Sequence, residues 1–223
     1  MGTVVFDLDG TLADTSGDLI EAANVCFREM GAGDVIRPGR DADTALTGGK
    51  AMLRLGLSRL GQEPDEDEVD RWYPMLLEAY EAKIDHHTVF FPGAMDAVRA
   101  LKAQSHRVAI CTNKPEKLAR LLFQSLGALD EFHSLIGADT LPVRKPDPEP
   151  LREAVRRAGG DLGQTIMIGD TITDHSTARA AGVPSILVTF APGREKVAEM
   201  EPDALLHHFD ELLDLANQYF TAS

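Results

Sequence analysis

The sequence contains little cysteine. Two of its 223 residues are cysteines, Cys26 and Cys111, which is too few for a disulfide framework or a cysteine-based zinc site. Each lies in an apolar or helical pattern, so we predict that both are small buried hydrophobic residues. A hydrophobic core must therefore stabilise the fold, and a chain of this length can form one.

Long apolar runs are also missing. No apolar stretch approaches the ~18 residues that a membrane-spanning helix needs. No basic segment precedes the first apolar run, as it would in a secretory signal peptide. We therefore expect no membrane association and a location in the cytoplasm.

Positive charge is scarce. The chain has 22 lysines and arginines against 36 aspartates and glutamates, a formal net charge of −14. Nucleic acids and anionic membranes are bound by basic faces, so this balance argues against both as partners. Hydrophobic residues make up 43% of the chain, which is typical of a globular protein rather than a disordered one.

Short apolar segments alternate with helical patterns along most of the chain. Short segments rich in valine and isoleucine are typical of strands buried on both faces of a parallel sheet. They cover Val4–Leu8, Val108–Cys111, Leu135–Gly137, Ile166–Ile168 and Ile186–Val188, with helical patterns at 94–103, 115–126, 149–158 and 174–181. The alternation predicts an α/β fold with a Rossmann-like, doubly wound parallel sheet.

A long interval separates the first two predicted strands, far longer than the ~30 residues of a simple strand–helix–strand unit. It contains three amphipathic patterns, Gly17–Met30, Thr44–Leu60 and Asp65–Lys83, which can bury their apolar faces against one another. We therefore predict an inserted helical domain at residues 15–88 and a discontinuous core formed by residues 1–14 and 89–223.

Two acidic residues, Asp7 and Asp9, end the first predicted strand, and Gly10 and Thr11 follow them. Residues two apart in a strand point to the same face, so the two carboxylates start out aligned. Ligands of open α/β sheets bind beyond the carboxyl ends of the strands, and Gly10 permits a ligand to approach the backbone closely. Two such carboxylates repel each other unless a cation or a shared proton holds them.

Further polar residues follow the other predicted strands. They are Thr112, Asn113 and Lys114 ahead of a helix near Pro115, Lys145 in a loop between prolines, and Asp170 and Asp174. Parallel strands bring such ends to one edge of the sheet. Carboxylates without histidine or cysteine suit Mg²⁺, while a hydroxyl, a lysine and helix N-termini suit a phosphoryl group. The pattern predicts a phosphoryl-transfer site with a carboxylate nucleophile.

These segments resemble the four motifs of the haloacid dehalogenase superfamily, in the same order and over nearly the whole chain. The motifs are D-L-D-G-T from Asp7, Thr112, Lys145, and Asp170 with Asp174. Within the superfamily, one branch is matched by D-L-D-G-T-L-A-D-T from Asp7, F-P-G from Phe91, K-P-D-P-E-P-L from Lys145 and G-D-T-I-T-D from Gly169. The combination is similar to the phosphoglycolate phosphatase-like branch, in which the helical insert is a C1 cap. The resemblance implies an Mg²⁺-dependent phosphomonoester hydrolase that works through an aspartyl-phosphate.

The resemblance also implies a role for each matching catalytic residue. Asp7 attacks phosphorus and becomes phosphorylated, and Asp9 protonates the leaving oxygen and then activates the hydrolytic water. Thr112 and Asn113 hold phosphate oxygens, and Lys145 neutralises the charge of the nucleophile and the phosphate.

The same resemblance implies Mg²⁺ as the cofactor. Its ligands would be the side chains of Asp7 and Asp170 and the backbone carbonyl of Asp9, with Asp174 behind them or binding through water. Closure of the cap would exclude water from the first step, as active-site lids do.

Residues of the cap contact the leaving group in this branch. The corresponding segment contains Gly48, Gly49 and Lys50, and Arg54 follows four residues after Lys50 on the same helix face. Two cations fit a small phosphorylated metabolite that also carries a carboxylate, and 2-phosphoglycolate is the expected substrate. A plain helix start with a solvated basic pair is the alternative interpretation of this segment.

Other functions stay open. A phosphomutase of the β-phosphoglucomutase type would share Asp7 and Asp9, and a sugar-phosphate, nucleotide or pyrophosphate phosphatase would share all four motifs. Dehalogenases and phosphonatases of the superfamily lack the second acid, so Asp9 argues against both. A non-catalytic binding module is disfavoured because Asp7, Asp9 and Lys145 are intact. A monomer and a homodimer are both compatible with the sequence.

The histidines indicate no metal site. His175 follows Asp174 where the branch more often carries an apolar residue, and it either faces a pocket edge or caps a helix. The pairs His86–His87 and His207–His208 have no ligand partners at metal-binding spacing, so we expect them at the surface or in a linker.

Overall fold

The structure is a computed structural model that describes residues 1–63 and 65–221. The chain divides into two compact units, one formed by Met1–Ala13 and Phe90–Ser223 and the other by Asp14–Val89. The first is an α/β unit and the second is helical. Within the described residues, no helix has both the length and the apolar character needed to cross a membrane.

The α/β unit is built on a parallel sheet, as the sequence predicts. In chain order the strands of the protein are β1 (Thr3–Phe6), β2 (Ala13–Asp14), β3 (Val89–Phe90), β4 (Arg107–Cys111), β5 (Ser134–Ile136), β6 (Thr165–Gly169), β7 (Ser185–Val188) and β8 (Ala204–Leu206). The two short strands β2 and β3 pair with each other, and the other six form a sheet in the order β5-β4-β1-β6-β7-β8.

The centre of the sheet is β1. Its residue Val4 is in register with Val108 of β4 on one side and with Ile166 of β6 on the other. All four β1 residues are buried, and burying a valine or phenylalanine side chain contributes about 1.5–3 kcal/mol. The apolar residues from Val4 to Phe6 suit this buried position, and the first charged side chain, that of Asp7, follows the end of the strand.

The helices of the α/β unit are α5 (Ala94–Ala103), α6 (Glu116–Ser125), α7 (Glu149–Arg157), α8 (Ile172–Ala181) and α9 (Leu212–Thr221). The first four agree with the predicted patterns to within a few residues. The elements after residue 200, β8 and α9, are not predicted. The strand β8 has the sequence Ala-Leu-Leu, without the β-branched residues that mark the other strands.

The helical unit contains α1 (Ser16–Glu29), α2 (Ala42–Leu46), α3 (Gly49–Arg59) and α4 (Glu66–Ala82). The prediction of one helix over Thr44–Leu60 is wrong, because the chain breaks before α3 at Gly48, which has a φ of +114° that only glycine adopts without strain. A Cβ at Gly49 would lie 2.7 Å from Leu76, so this glycine lets α3 pack closely on α4.

Candidate active site

Three neighbouring strands bring polar residues to one edge of the sheet. β1 ends just before Asp7, β6 ends just before Asp170, and β4 ends just before Thr112. Because these strands are parallel and adjacent in the order β4-β1-β6, their carboxyl ends share one edge. The residues lie at the edge that the sequence predicts.

A buried acidic cluster lies at this edge. Asp7, Asp170 and Asp174 each offer a carboxylate oxygen, and these oxygens lie within 4.8 Å of one another. Burial raises the pKa of Asp7 to about 6, against the lowering effect of Lys145. Burial, together with the charges of Asp174 and Asp7, raises the pKa of Asp170 to about 8. Burial therefore disfavours the ionised forms of Asp7 and Asp170, and the neighbouring carboxylates add to this effect.

The lysine of the third motif, Lys145, bridges two members of the cluster. Its Nζ lies 2.6 Å from Asp174 Oδ1 and 3.0 Å from Asp7 Oδ1, and its side chain is 2% exposed. Burial lowers the pKa of Lys145, but the charges of Asp174 and Asp7 outweigh it and hold the pKa above its usual range. Asn113 Nδ2 donates to the Lys145 carbonyl at 3.0 Å, which fixes the loop that carries the ammonium group.

The start of α8 holds Asp174. In a capping box, Asp174 Oδ2 accepts hydrogen bonds from the Thr171 hydroxyl at 2.6 Å and the Thr171 N–H at 3.1 Å. A Cβ at Gly169 would lie 2.3 Å from the Asp174 Cβ, so this close approach requires glycine. Burial raises the pKa of Asp174, but Lys145 and Thr171 outweigh it and lower the pKa. Asp174 is therefore the ionised partner of Lys145.

Two residues without a predicted role hold Asp170. Thr11 Oγ1 donates to Asp170 Oδ1 at 3.1 Å, and Arg194 Nε donates to Asp170 Oδ2 at 2.7 Å. Gly10 has a φ of +80°, and a Cβ there would lie 2.5 Å from Asp170 Oδ2. Thr11 is the threonine of the first motif, and its place in that motif is the sequence feature that could have identified it as a site residue. Arg194 is 24 residues from Asp170, and the pairing of β6 with β7 brings it near.

The general acid–base candidate Asp9 also has a cationic partner. Lys114 Nζ lies 2.8 Å from Asp9 Oδ1 and 3.1 Å from Asp9 Oδ2. The Lys114 N–H donates to Thr112 Oγ1 at 3.2 Å. The sequence marks Lys114 as part of a strand-end motif but indicates no role for it. The structure shows that it positions Asp9 through charge-assisted hydrogen bonds.

The donors of the cluster suit a divalent cation. All are carboxylates, and Mg²⁺ prefers such hard oxygen ligands. The pKa values of Asp7 and Asp170 are raised first by burial and then by repulsion from neighbouring carboxylates, and a bound cation would offset both effects by stabilising the ionised forms. The residues present therefore fit an Mg²⁺ ion.

The raised pKa values predict how the stability of the metal-free protein depends on pH. The folded state binds the protons of Asp7 and Asp170 more tightly than the unfolded state. The stabilisation they provide is therefore complete below the unfolded pKa of about 4 and is lost as the pH rises through about 6 and about 8. In EDTA, we expect the Tm to fall between pH 7 and pH 8.5, and excess Mg²⁺ to reduce the fall.

Scanning calorimetry of the wild type and of Asp170→Asn in the same buffers provides the check. Because the asparagine cannot ionise, most of the fall should disappear in this variant. A wild-type Tm in EDTA that stays level or rises over this pH range would contradict the raised pKa of Asp170.

The basic residues predicted to contact the substrate lie in the helical unit, on α3. Lys50 forms an ion pair with Asp70 of α4, and its Nζ lies 5.1 Å from the centroid of the Tyr73 ring. Arg54 makes two hydrogen bonds to Glu66, at 2.6 and 2.7 Å. Both cations are thus paired with acidic residues of the same unit.

The remaining residues that the sequence singles out are cysteines and histidines. Cys26 and Cys111 are buried, as predicted, and burial raises their pKa values to about 11 and about 12. His175 has a buried Nδ1 without a hydrogen-bond partner in the part of the chain that the structure describes. The rings of His86 and His87 contact each other edge to face, with centroids 4.8 Å apart.

The parallel sheet and the carboxylates at its edge define the class of the protein, an α/β protein with a carboxylate-based site at the carboxyl ends of its strands. The family model of the haloacid dehalogenase-like hydrolases matches residues 4–188, and the chain belongs to this family. The matched range contains the whole acidic cluster and Lys145. Arg194 lies beyond its end.

Curated relatives narrow the class to a phosphatase. The chain is 36% identical over 223 residues to a phosphoglycolate phosphatase of Mesorhizobium japonicum, covering 99% of this chain and 97% of the relative. It is 34% identical over 210 residues to a phosphoglycolate phosphatase of Caulobacter vibrioides, covering 93% and 87%. The chain is a phosphatase of the haloacid dehalogenase-like family.

Solved structures share the fold. A structure described as a predicted phosphoglycolate phosphatase from Haemophilus somnus 129PT matches with a TM-score of 0.80 at 24% identity, covering 96% of this chain and 97% of that one. CbbY from Rhodobacter sphaeroides, solved in complex with phosphate, matches with a TM-score of 0.74 at 24% identity, covering 95% and 96%. At this level of identity the likeness establishes the architecture alone.

Proposed function

We propose that the protein is an Mg²⁺-dependent phosphomonoester hydrolase that forms an aspartyl-phosphate on Asp7, with 2-phosphoglycolate as its substrate. The observation that carries the mechanism is the place of Asp7 in the acidic cluster, with Oδ1 3.0 Å from Lys145 Nζ. The relatives named phosphoglycolate phosphatase support the substrate. We also propose that the enzyme acts on this small metabolite in the cytoplasm, as a monomer or a homodimer.

The first chemical step is the attack of Asp7 on phosphorus. Asp7 Oδ1 accepts a hydrogen bond from the Leu8 N–H at 2.7 Å and contacts Lys145, which leaves Oδ2 to act as the nucleophile. As the Oδ2–phosphorus bond forms, the bond to the leaving oxygen breaks, and Asp9 gives its proton to that oxygen. Lys114 keeps the Asp9 carboxylate at the site.

The second step returns the enzyme to its starting state. The Asp9 carboxylate takes a proton from a water molecule, and the water oxygen attacks phosphorus and breaks the bond to Asp7. Inorganic phosphate leaves, Asp7 is again a carboxylate and Asp9 is again protonated. One residue thus serves as acid and then as base, as general acid–base catalysis requires over a two-step cycle.

Charge at the reacting phosphoryl group is balanced by cations. Lys145 lies beside the nucleophile and is held there by Asp174. Asp7, Asp170 and the Asp9 backbone carbonyl would hold Mg²⁺, which when bound supplies charge stabilisation for phosphoryl transfer.

Two polar side chains complete the proposed phosphate site. Thr112 and Asn113 follow β4, the neighbour of β1, and we propose that they donate hydrogen bonds to phosphate oxygens. The amide of Asn113 also donates to the Lys145 carbonyl, so it joins the proposed phosphate site to the lysine loop.

Residues of the helical unit are proposed to determine the leaving group. Gly48, where a Cβ would meet nothing within 4 Å, and Gly49, which packs on α4, form the start of α3. Lys50 and Arg54 provide positive charge for a substrate carboxylate. Lys50 is the stronger candidate, because an ammonium group has three donors and Asp70 engages one of them. Arg54 already makes two hydrogen bonds to Glu66.

A panel of phosphate esters tests the proposal. Phosphate release is measured from 2-phosphoglycolate, p-nitrophenyl phosphate, sugar phosphates, nucleotides and pyrophosphate, with Mg²⁺ and with EDTA. We expect the highest kcat/KM for 2-phosphoglycolate and a loss of at least about 100-fold in EDTA. Lys50→Gln should raise the KM for 2-phosphoglycolate about tenfold and leave p-nitrophenyl phosphate unaffected.

The matched control is Lys83→Gln, which removes an exposed cation of the same unit and should change neither substrate. Preference for another ester would contradict 2-phosphoglycolate as the substrate but would still support the proposed hydrolysis mechanism. Activity that appears only when a sugar bisphosphate is added would favour a phosphomutase. No release from any ester by the folded protein would contradict the hydrolase proposal itself.

A further inference from the structure

A third buried cation accompanies the acidic cluster besides Lys145 and Lys114. The side chain of Arg194 is 9% exposed, and its Nε lies 2.7 Å from Asp170 Oδ2. Its Nη2 is buried and has no hydrogen-bond partner in the described part of the chain. Nε and Nη2 lie on the same edge of a guanidinium group, so the unpartnered donor is on the edge that faces Asp170.

A tight turn fixes Arg194 in this position. The residues Ala191, Pro192, Gly193 and Arg194 form a four-residue turn, closed by a hydrogen bond from the Arg194 N–H to the Ala191 carbonyl at 3.2 Å. Gly193 has a φ of +75°, and Pro-Gly at the two central positions is typical of a type II turn. Ala191 and Val197 anchor the loop because both are buried.

Each carboxylate of the site has a cation of the protein as its partner. Lys145 contacts Asp7 and Asp174, Lys114 contacts Asp9, and Arg194 contacts Asp170. Asp170 also accepts from Thr11, so each of its oxygens already has one protein donor. Lys145 and Lys114 belong to the motif segments, whereas Arg194 lies outside them. Asp170 is therefore the proposed cation ligand whose counter-charge comes from outside the motifs.

We propose that Arg194 is a resident counter-charge for Asp170, which stabilises the metal-free cluster and weakens its binding of Mg²⁺. This inference rests on the proposed cation site. The guanidinium group and the divalent ion both act on the same carboxylate and repel each other, because they carry charges of the same sign in a buried environment. Arg194 does not contact the substrate, and it acts through Asp170.

Three variants separate the charge of Arg194 from its geometry. Arg194→Gln removes the charge and keeps an N–H donor, whereas Arg194→Lys keeps the charge and loses the planar fork. Lys196→Gln is the matched control, since it removes the same charge from an exposed position of the same loop. The measurements are the Kd for Mg²⁺ by calorimetry without substrate, and the Tm in EDTA and over a range of Mg²⁺ concentrations.

Arg194→Gln is expected to lower the Kd for Mg²⁺ about tenfold, to lower the Tm in EDTA and to enlarge the Mg²⁺-induced rise in Tm. The Kd of Arg194→Lys and of Lys196→Gln should stay within about twofold of the wild type. Arg194→Gln that folds only when Mg²⁺ is present would also support the proposal, because the ion then replaces the missing charge.

Two results would overturn the proposal: an unchanged or higher Kd in Arg194→Gln, or an Arg194→Gln chain that stays unfolded even with Mg²⁺. If the Kd is higher in Arg194→Gln and in Arg194→Lys alike, Arg194 orients Asp170 for the ion instead of competing with it. A wild-type protein that binds no Mg²⁺ would contradict the cation site of the proposed function, and this outcome is distinct from the other two.

Discussion

Replacement of Asp7 by asparagine is expected to abolish phosphate release, by at least about 10⁴-fold, in a protein that is folded and no less stable than the wild type. Asparagine has the shape of the protonated carboxyl group but cannot form the bond to phosphorus. Burial raises the pKa of Asp7 to about 6, so the carboxylate is ionised at pH 7.5, but its charge is less favourable in the folded state than in the unfolded chain. A neutral side chain removes this unfavourable charge.

Activity on the best substrate of the panel and the Tm in EDTA at pH 7.5 are the two measurements. Asp96→Asn is the control, because it removes a carboxylate that is 88% exposed and should change neither value. Retention of more than about a hundredth of the wild-type rate would show that Asp7 is not the nucleophile. A large fall in Tm would show instead that the ionised Asp7 stabilises the fold.

Replacement of Lys145 by methionine is expected to destabilise the protein by about 3–5 kcal/mol and to lower kcat/KM at least about 100-fold. Methionine keeps most of the apolar stem but removes the ammonium group that contacts Asp7 and Asp174. Two carboxylates then lose their buried counter-charge, and the phosphoryl group loses a neighbouring cation.

Urea unfolding gives the change in the free energy of unfolding, and Lys102→Met is the matched control. Lys102 pairs with Glu131 at a partly exposed site, so its loss should cost at most about 1 kcal/mol. In the double variant Asp7→Asn/Lys145→Met, about 1–3 kcal/mol of the lost stability should return, because one of the unpaired carboxylates is gone. If the double variant is as unstable as Lys145→Met, the buried charge of Asp7 is not the cause.

Much of the fold can be predicted because it depends on local patterns. The strands β1, β4, β6 and β7 are short apolar segments, and each can be found without knowledge of its neighbours in space. The helix predicted over Thr44–Leu60 fails for a local reason too, since Gly48 adopts a φ of +114° that the apolar periodicity does not reveal. The strand β8 lacks a clear pattern, because three residues at the edge of the sheet need few β-branched side chains.

The acidic residues of the site belong to motifs at strand ends, so their meeting at one edge follows from a parallel sheet. Their partners do not follow in this way. The contact between Lys114 and Asp9 depends on the pairing of β4 with β1, and the contact between Arg194 and Asp170 depends on a turn after β7. The spacing of residues along the chain predicts neither of these contacts.

The sequence by itself therefore determined the class of fold and the strand-end position of Asp7, Asp9 and Asp170, because short-range periodicity and strand topology are sufficient for these. The role of Lys145 was identified by the resemblance of its motif. Only the tertiary structure decided that Lys114 pairs with Asp9 and that Arg194 pairs with Asp170. Electrostatic interactions act over a few ångströms through space, and residues far apart in the chain meet at that range only after the strands have aligned.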